Sequence, residues 1–95
     1  MKLVYTVEAV EDLKRLRQFI AEHNPAAARR IAAELVAKIK LLADLPAIGV
    51  PVAMAPLPDS LRDMVFGHYV VRYSVHSSAI IILRVWHSLE NERQQ

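Results

Sequence analysis

The chain has 95 residues, of which 54% are hydrophobic and 23% are charged, and its formal net charge is +2. This composition excludes a disordered chain and predicts one domain over residues 1–95, while the charge is too small to argue by itself for binding to nucleic acid. Cysteine is absent, which excludes disulfides and thiolate metal sites, and no apolar run approaches the length of a membrane span, so we expect a cytoplasmic protein without membrane contact.

The first half of the chain predicts a short strand and two helices. Residues 2–7 are typical of a strand, and Thr6 is suited to cap the helix that follows. A second helix begins at Asn24-Pro25 and ends before Leu45-Pro46, because proline disfavours helical geometry in the residue before it. Apolar residues recur at steps of three and four in both segments, which predicts two amphipathic helices. The predicted buried stripes are Ala9, Leu13, Leu16, Phe19 and Ile20, and then Ala28, Ile31, Leu35, Ile39 and Leu42.

The second half predicts an irregular crossing followed by three strands. Residues 47–59 contain one glycine and three prolines, which is typical of irregular structure. Residues 61–66, 68–75 and 79–87 are rich in Val, Ile and Tyr and are separated by short turns, which predicts antiparallel hairpins. The predicted fold is therefore α+β, in the order β-α-α-β-β-β, with an antiparallel helical hairpin packed on one face of a small antiparallel-rich sheet.

Each of the three predicted strands carries one arginine. Alternation assigns seven residues of the last two strands to the core: Tyr69, Val71, Tyr73, Val75, Ile81, Leu83 and Val85. In an assumed register, the opposite face gathers Arg62, Arg72, Arg84 and Trp86. These arginines could hold a phosphodiester or grip acidic residues of a partner, and they could equally form a solvated outer face that resists aggregation. Trp86 favours a contact surface, because a large aromatic on an exposed face is typical of one.

His87 closes the last strand, where an imidazole could act as a general acid or base or could simply be a polar strand end. The spacing of the histidines favours no metal site, and the two glycines are too few for a phosphate-binding loop. We therefore predict neither a metal nor another cofactor.

Six short motifs in order resemble the RelE/ParE superfamily of toxins from bacterial type II toxin–antitoxin modules. The resemblance covers nearly the whole chain. The motifs are Ala9-x-x-Asp12-Leu13, Asn24-Pro25-Ala26-Ala27-Ala28, Leu42-x-x-Leu45-Pro46-x-x-Gly49, Leu61-Arg62, Tyr69-x-x-x-Tyr73 and Ile82-Leu83-Arg84-Val85-x-His87.

The resemblance implies a growth-inhibiting, plasmid-stabilising toxin that a cognate antitoxin neutralises in a hetero-oligomer. Some members of the superfamily cleave messenger RNA on the ribosome, and for that activity Arg62 and His87 would be the catalytic candidates. Val70 and Ser88 stand where such RNases often carry an arginine and an aromatic residue. We therefore favour the ParE type, which inhibits DNA gyrase without a catalytic centre, and expect Arg62, Arg72, Arg84, Trp86 and His87 to bind the target. The alternatives are a ribosome-dependent mRNA endonuclease and a non-toxic binding protein of the same fold.

Overall fold

The computed structural model describes residues 1–53, 55–57 and 60–88. The elements in this part of the chain are β1 (Lys2–Tyr5), α1 (Val7–His23), α2 (Pro25–Leu41), β2 (Val50–Pro51), β3 (Leu61–Phe66), β4 (Tyr69–Val75) and β5 (Ala79–His87). The strands form one sheet in the order β1-β5-β4-β3-β2, in which β1 is parallel to β5 and the other neighbours are antiparallel. The predicted α+β class is confirmed. The sequence pattern did not predict β2, which lies in the segment expected to be irregular. Met54, Pro58 and Asp59 of that segment lie outside the described residues.

Both helices begin at the predicted caps. Thr6 Oγ1 accepts a hydrogen bond of 3.0 Å from the Ala9 amide, and Asn24 Oδ1 accepts one of 3.3 Å from the Ala27 amide. These side chains satisfy amides that have no partner within the first turn of a helix. Pro25 is the first residue of α2, where its missing amide proton costs nothing. Within the described residues, neither helix is long and apolar enough to cross a bilayer.

The core lies between the helical hairpin and one face of the sheet, which we call the inner face. The predicted stripes are largely confirmed, since Leu16, Ile20, Leu35 and Ile39 are buried, while Leu13 and Ile31 are half-buried and pack against the core. The sheet contributes Met64, Tyr69, Val71, Tyr73, Ile80, Ile82 and Val85.

A β-bulge in β5 corrects the predicted core. Arg72 pairs with Arg84 and Tyr73 pairs with Ile82, so Leu83 is an extra residue without a partner on β4. The extra residue shifts the alternation of side chains by one position. Ile80 and Ile82 are therefore buried instead of Ile81 and Leu83, and only Val85 keeps its predicted place in the core of this strand. The prediction for Val75 was also wrong, because this residue ends β4 and is 37% exposed.

The position of Leu35 makes a test of the core. Leu35 is 2% exposed, whereas its neighbour Val36 is 37% exposed. We expect Leu35→Ala to lower the free energy of unfolding in urea by about 2–5 kcal/mol, because it leaves a cavity between α2 and the sheet. Val36→Ala is the matched control and should cost less than about 1 kcal/mol. Equal losses in the two variants would contradict the burial of α2 on this side.

Candidate functional site

Side chains of α1 cover the part of the β5 edge that β1 does not reach. The pairing of β1 with β5 ends at Tyr5 and Ile82. Beyond it, Thr6 Oγ1 donates to the Leu83 carbonyl at 2.9 Å, and the Val85 amide donates to Asp12 Oδ2 at 2.9 Å. Polar groups of the helix thus replace the hydrogen bonds of a missing strand, which edge backbone would otherwise make with water or with another chain.

Asp12 is the centre of this arrangement and is 2% exposed. Its carboxylate accepts two hydrogen bonds from Arg84, of 2.7 and 3.0 Å, and one of 2.7 Å from Arg15, in addition to the Val85 amide. Burial raises the pKa of this carboxyl, but the hydrogen bonds from Arg84, Arg15 and Val85 outweigh burial and hold the pKa below its usual range. Asp12 is therefore ionised at neutral pH, and Arg84 is occupied in holding it.

On the outer face of the sheet, Arg72 is paired in a similar way. Its guanidinium donates to both carboxylate oxygens of Asp63, at 2.9 and 3.0 Å, and lies over the Trp86 ring at 5.2 Å from the ring centroid. The register confirms that Arg72, Arg84 and Trp86 share this face. The expectation that Trp86 is exposed was wrong, because it is only 6% exposed, and its Nε1 has no hydrogen-bond partner among the described residues. This face is less cationic than the sequence suggested, because a carboxylate pairs with each of its arginines.

Arg62 lies on the inner face and not with the other strand arginines. It pairs with Tyr73, whose side chain is in the core, whereas Asp63 pairs with Arg72. Arg62 Nη1 donates to the Gly49 carbonyl at 2.6 Å. The predicted grouping of Arg62 with Arg72 and Arg84 assumed a register that was one residue out, and a shift of one residue moves a side chain to the opposite face.

Tyr73 connects the loop that contains Gly49, between α2 and β2, to the sheet. Its buried hydroxyl donates to the Pro46 carbonyl at 2.7 Å and accepts from the Gly49 amide at 2.8 Å. A Cβ atom on Gly49 would lie 2.6 Å from this hydroxyl, so the close approach requires glycine. The motif Leu45-Pro46-x-x-Gly49 therefore has a structural role, because its backbone forms the hydrogen bonds with Tyr73 and Arg62.

His87 lies at the far end of the inner face in a cluster of aromatic rings. It pairs with Tyr69, and its ring centroid lies 5.1 Å from that of Tyr69, 5.5 Å from His68 and 5.7 Å from Phe19. His23 stacks on Phe19 at 4.2 Å and donates from Nδ1 to the Phe19 carbonyl at 2.8 Å. Burial raises the pKa of the Tyr69 phenol, which therefore stays protonated. Sequence reasoning singled out His87 alone, because ring contacts between α1 and two strands cannot be read from a pattern.

Arg62 and His87, the two candidates for catalysis, are far apart. They pair with Tyr73 and Tyr69, which are four residues apart on β4, and they lie on opposite sides of that strand. Strand geometry separates their backbones by about 13 Å along β4 and roughly 10 Å across it. Within the described residues, no group of three His, Asp or Glu side chains converges as a candidate metal site.

The helical hairpin carries a groove that the sequence did not predict. It has a volume of ≈ 750 Å³ and lies over the joint between α1 and α2. Apolar residues of both helices form its walls, and three cationic side chains, Arg17, Arg29 and Lys40, also line it. Small residues of α2, including Ala28, Ala32 and Ala33, leave the space open. These alanines could have indicated the groove from the sequence, because a helix face without bulky side chains cannot fill the space between itself and the neighbouring helix.

Comparisons with known proteins agree with this architecture. The sequence profile of the family described as ParE toxin of type II toxin-antitoxin system, parDE, matches residues 3–92. Toxin RelE1 of Caulobacter vibrioides is 32% identical over 90 residues, which cover 93% of this chain and 94% of that protein.

Two solved structures from toxin–antitoxin systems are similar in three dimensions. A chain of the chromosomal ParDE system from P. aeruginosa superposes with a TM-score of 0.77 at 22% identity, over 92% of this chain and 95% of that one, and so shows a common fold. A chain of the toxin–antitoxin complex RelBE2 from Mycobacterium tuberculosis superposes with a TM-score of 0.64 at 25% identity, over 90% and 95% of the two chains.

The lowered pKa of Asp12 predicts a loss of stability in acid. An unfolded aspartate has a pKa of about 3.9, so its ionised form stabilises the fold above that pH, and this contribution is lost as the pH falls through the lower value of the folded state. We expect Asp12→Asn to lower the free energy of unfolding by about 2–3 kcal/mol at pH 7, because it removes the charge from four hydrogen bonds at the β5 edge. The difference from the wild type should shrink between pH 4 and pH 2 in urea titrations, since protonation then neutralises the wild-type group as well.

Glu34→Gln is the control for that experiment. It breaks the exposed ion pair with Arg30, at 3.3 Å, and should cost about 0.5 kcal/mol or less. If the difference in the free energy of unfolding between Asp12→Asn and the wild type does not change with pH, the charge of Asp12 does not have this role.

Proposed function

Because this chain belongs to the RelE/ParE superfamily of type II toxin–antitoxin toxins, we propose that it inhibits bacterial growth in the cytoplasm by binding DNA gyrase and that a cognate antitoxin neutralises it. Gyrase inhibition requires a contact surface and no catalytic centre, and its strength depends on a few anchoring side chains. Messenger cleavage requires a base for the ribose 2′-hydroxyl, a cation for the phosphate and an acid for the leaving oxygen, all within reach of one phosphodiester.

The separation of Arg62 from His87 is the observation that supports a binding mechanism. Arg62 donates to the Gly49 carbonyl at one end of the inner face, and His87 is surrounded by aromatic rings at the other end. Arg72 and Arg84 lie on the outer face and are each held by a carboxylate. The side chains that would have to act together on one phosphate thus have different places and different partners.

Two observations favour ribosome-dependent messenger cleavage as the second candidate function. One relative at 32% identity carries the name Toxin RelE1. In addition, the rings of His87, His68 and Tyr69 lie together, and imidazole and phenol groups are side chains that serve as general acids and bases in enzymes. An RNase of this kind would use the histidine cluster and not Arg62.

The groove between α1 and α2 is suited to the antitoxin. Structures similar to this chain come from toxin–antitoxin complexes. The walls of the groove are apolar, and Arg17, Arg29 and Lys40 line it, which favours an amphipathic segment with acidic residues. A segment that is disordered on its own would order as its apolar side chains enter the groove and its carboxylates meet these cations.

The role of His87 separates the two mechanisms. In a gyrase inhibitor, His87→Ala should leave inhibition of supercoiling within about threefold of the wild type, whereas Arg72→Ala should weaken it by roughly 1–3 kcal/mol of binding. In an RNase, His87→Ala should reduce cleavage by about 10²–10⁴, because the proton donor is lost. Purified protein is to be assayed on gyrase and, separately, in a translating extract with mapping of messenger ends.

Asp63→Asn is the control for Arg72, because it breaks the same ion pair without removing the guanidinium. If Asp63→Asn and Arg72→Ala weaken inhibition equally, Arg72 stabilises the fold through this ion pair and does not contact the target. If the wild type cleaves messenger RNA and His87→Ala does not, the proposal of gyrase inhibition is wrong and ribosome-dependent cleavage takes its place.

The groove predicts how the antitoxin can be excluded. Ala33 lines the groove, so Ala33→Glu places a carboxylate among its apolar walls and repels an acidic segment. Co-expression with the product of the neighbouring gene should rescue growth for the wild type and fail for Ala33→Glu. Ala26→Glu puts the same charge on an exposed position of α2 that does not line the groove and should be rescued normally. If co-expression rescues growth for all three proteins, the antitoxin binds to another surface.

A further inference from the structure

The loop between α2 and β2 presents large apolar side chains on a rigid backbone. Leu45 is 53% exposed, Ile48 47% and Val50 68%. The Ile48 amide donates to the Leu45 carbonyl at 3.1 Å, so the first two residues belong to one turn, and Val50 follows two residues later in β2. Surface loops are usually polar and mobile, and apolar side chains that are exposed together are typical of interaction sites.

Two side chains of the sheet hold this loop in place. Tyr73 bridges the Pro46 carbonyl and the Gly49 amide, and Arg62 binds the Gly49 carbonyl. A rigid apolar surface loses little conformational entropy when it binds, so more of its contact energy is available for affinity.

Arg62 adds a positive charge on the inner-face side of this loop, whereas Val50, which pairs with Asp63, lies on the outer-face side. Among the described residues, it differs from Arg72 and Arg84 because no carboxylate pairs with it, and its one hydrogen bond is to a backbone carbonyl. Its side chain is only partly buried and adjoins Gly49, which lies between Ile48 and Val50. An unpaired guanidinium beside apolar side chains is complementary to a carboxylate flanked by apolar groups.

The edge of β2 argues against a partner that adds a strand. Val50 pairs with Asp63, and the Val52 amide donates to the Leu61 carbonyl, so the amides of Val50 and Val52 face β3. Position 51 therefore faces the open edge, and proline has no amide proton to offer there. A partner is recognised here by its side chains.

We propose that residues 45–50 together with Arg62, the loop surface, are where the toxin docks on its protein target, and that the loop surface takes a target segment with one carboxylate flanked by apolar side chains. This inference rests on the proposed function in one respect, namely that the target is a protein. The groove between α1 and α2 remains the place of the antitoxin.

The test compares one charge placed on the loop surface with the same charge elsewhere. Ile48→Glu and Val50→Glu should each abolish growth inhibition on induced expression and weaken binding to purified gyrase at least about tenfold, because a carboxylate repels the acidic segment and disrupts the apolar contact. Val7→Glu is the control, since Val7 is 74% exposed at the start of α1, next to β1 at the opposite edge of the sheet from β2. It should remain toxic and bind within about twofold of the wild type.

Arg62 variants test the charge separately from the loop anchor. Arg62→Gln keeps a donor for the Gly49 carbonyl but has no charge, so it should weaken target binding and reduce its dependence on salt, while Arg62→Lys should retain both. Arg62→Gln with unchanged binding and salt dependence would limit Arg62 to its structural role and overturn the proposed chemistry of the target segment.

Growth inhibition does not depend on which target is correct, so the two proposals can fail separately. Toxicity of Ile48→Glu equal to that of the wild type would overturn docking at the loop surface. Loss of antitoxin co-purification in this variant would assign the loop surface to the antitoxin, and loss of a wild-type dimer in sedimentation would assign it to a second copy; either result overturns the inference. A wild type that stops growth without binding gyrase would overturn gyrase inhibition alone.

Discussion

The carboxylate of Asp12 at the edge of β5 is the interaction on which the arrangement of this fold depends. β1 is only four residues long, so the last part of β5 has no strand beside it on that edge. Asp12 of α1 supplies the acceptor that the Val85 amide lacks, and the bulge of β5 at Leu83 lies two residues before this amide. A buried charge is tolerated there because four hydrogen bonds satisfy it, two of them from one guanidinium. The contact fixes α1 against the sheet and, through the short turn at Asn24, also places α2 and the groove.

The same constraint changes the meaning of the arginines in the strands. A guanidinium in a strand can serve binding, but here two of the three are held by carboxylates and the third by a backbone carbonyl. Arg84 stabilises Asp12, Arg72 is paired with Asp63, and Arg62 anchors the loop before β2. Charge that a protein neutralises within itself contributes little to long-range attraction of a partner, and the net charge of the chain is only +2.

Among the described residues, two surfaces combine apolar side chains with cations that no carboxylate neutralises, and both involve α2. The groove lies along this helix and is lined by Arg29 and Lys40, while the loop surface follows the end of the helix and includes Arg62. Leu42, which is fully buried, connects the two by fixing the last turn of α2 to the core. A toxin that must meet both a target and an antitoxin needs two such surfaces or one that they share, and the separation proposed here allows an antitoxin to bind without covering the loop.

Local chemistry determined which elements form, and the sequence by itself predicted them. Both helices, their caps at Thr6 and Asn24, the hairpins and most of the helical stripes depend on neighbours within a few residues, and all were predicted correctly. The α+β fold followed from the order of these elements, and the family followed from motifs in order along the chain. Only the tertiary structure decided the sites. Asp12 and Arg84 are 72 residues apart, the bulge at Leu83 inverts the faces of β5, and a shift of one residue in the pairing of β3 moves Arg62 to the inner face. Register and bulges arise from contacts between whole elements, and the alternation of apolar residues within one strand carries no information about which residue of the next strand lies opposite.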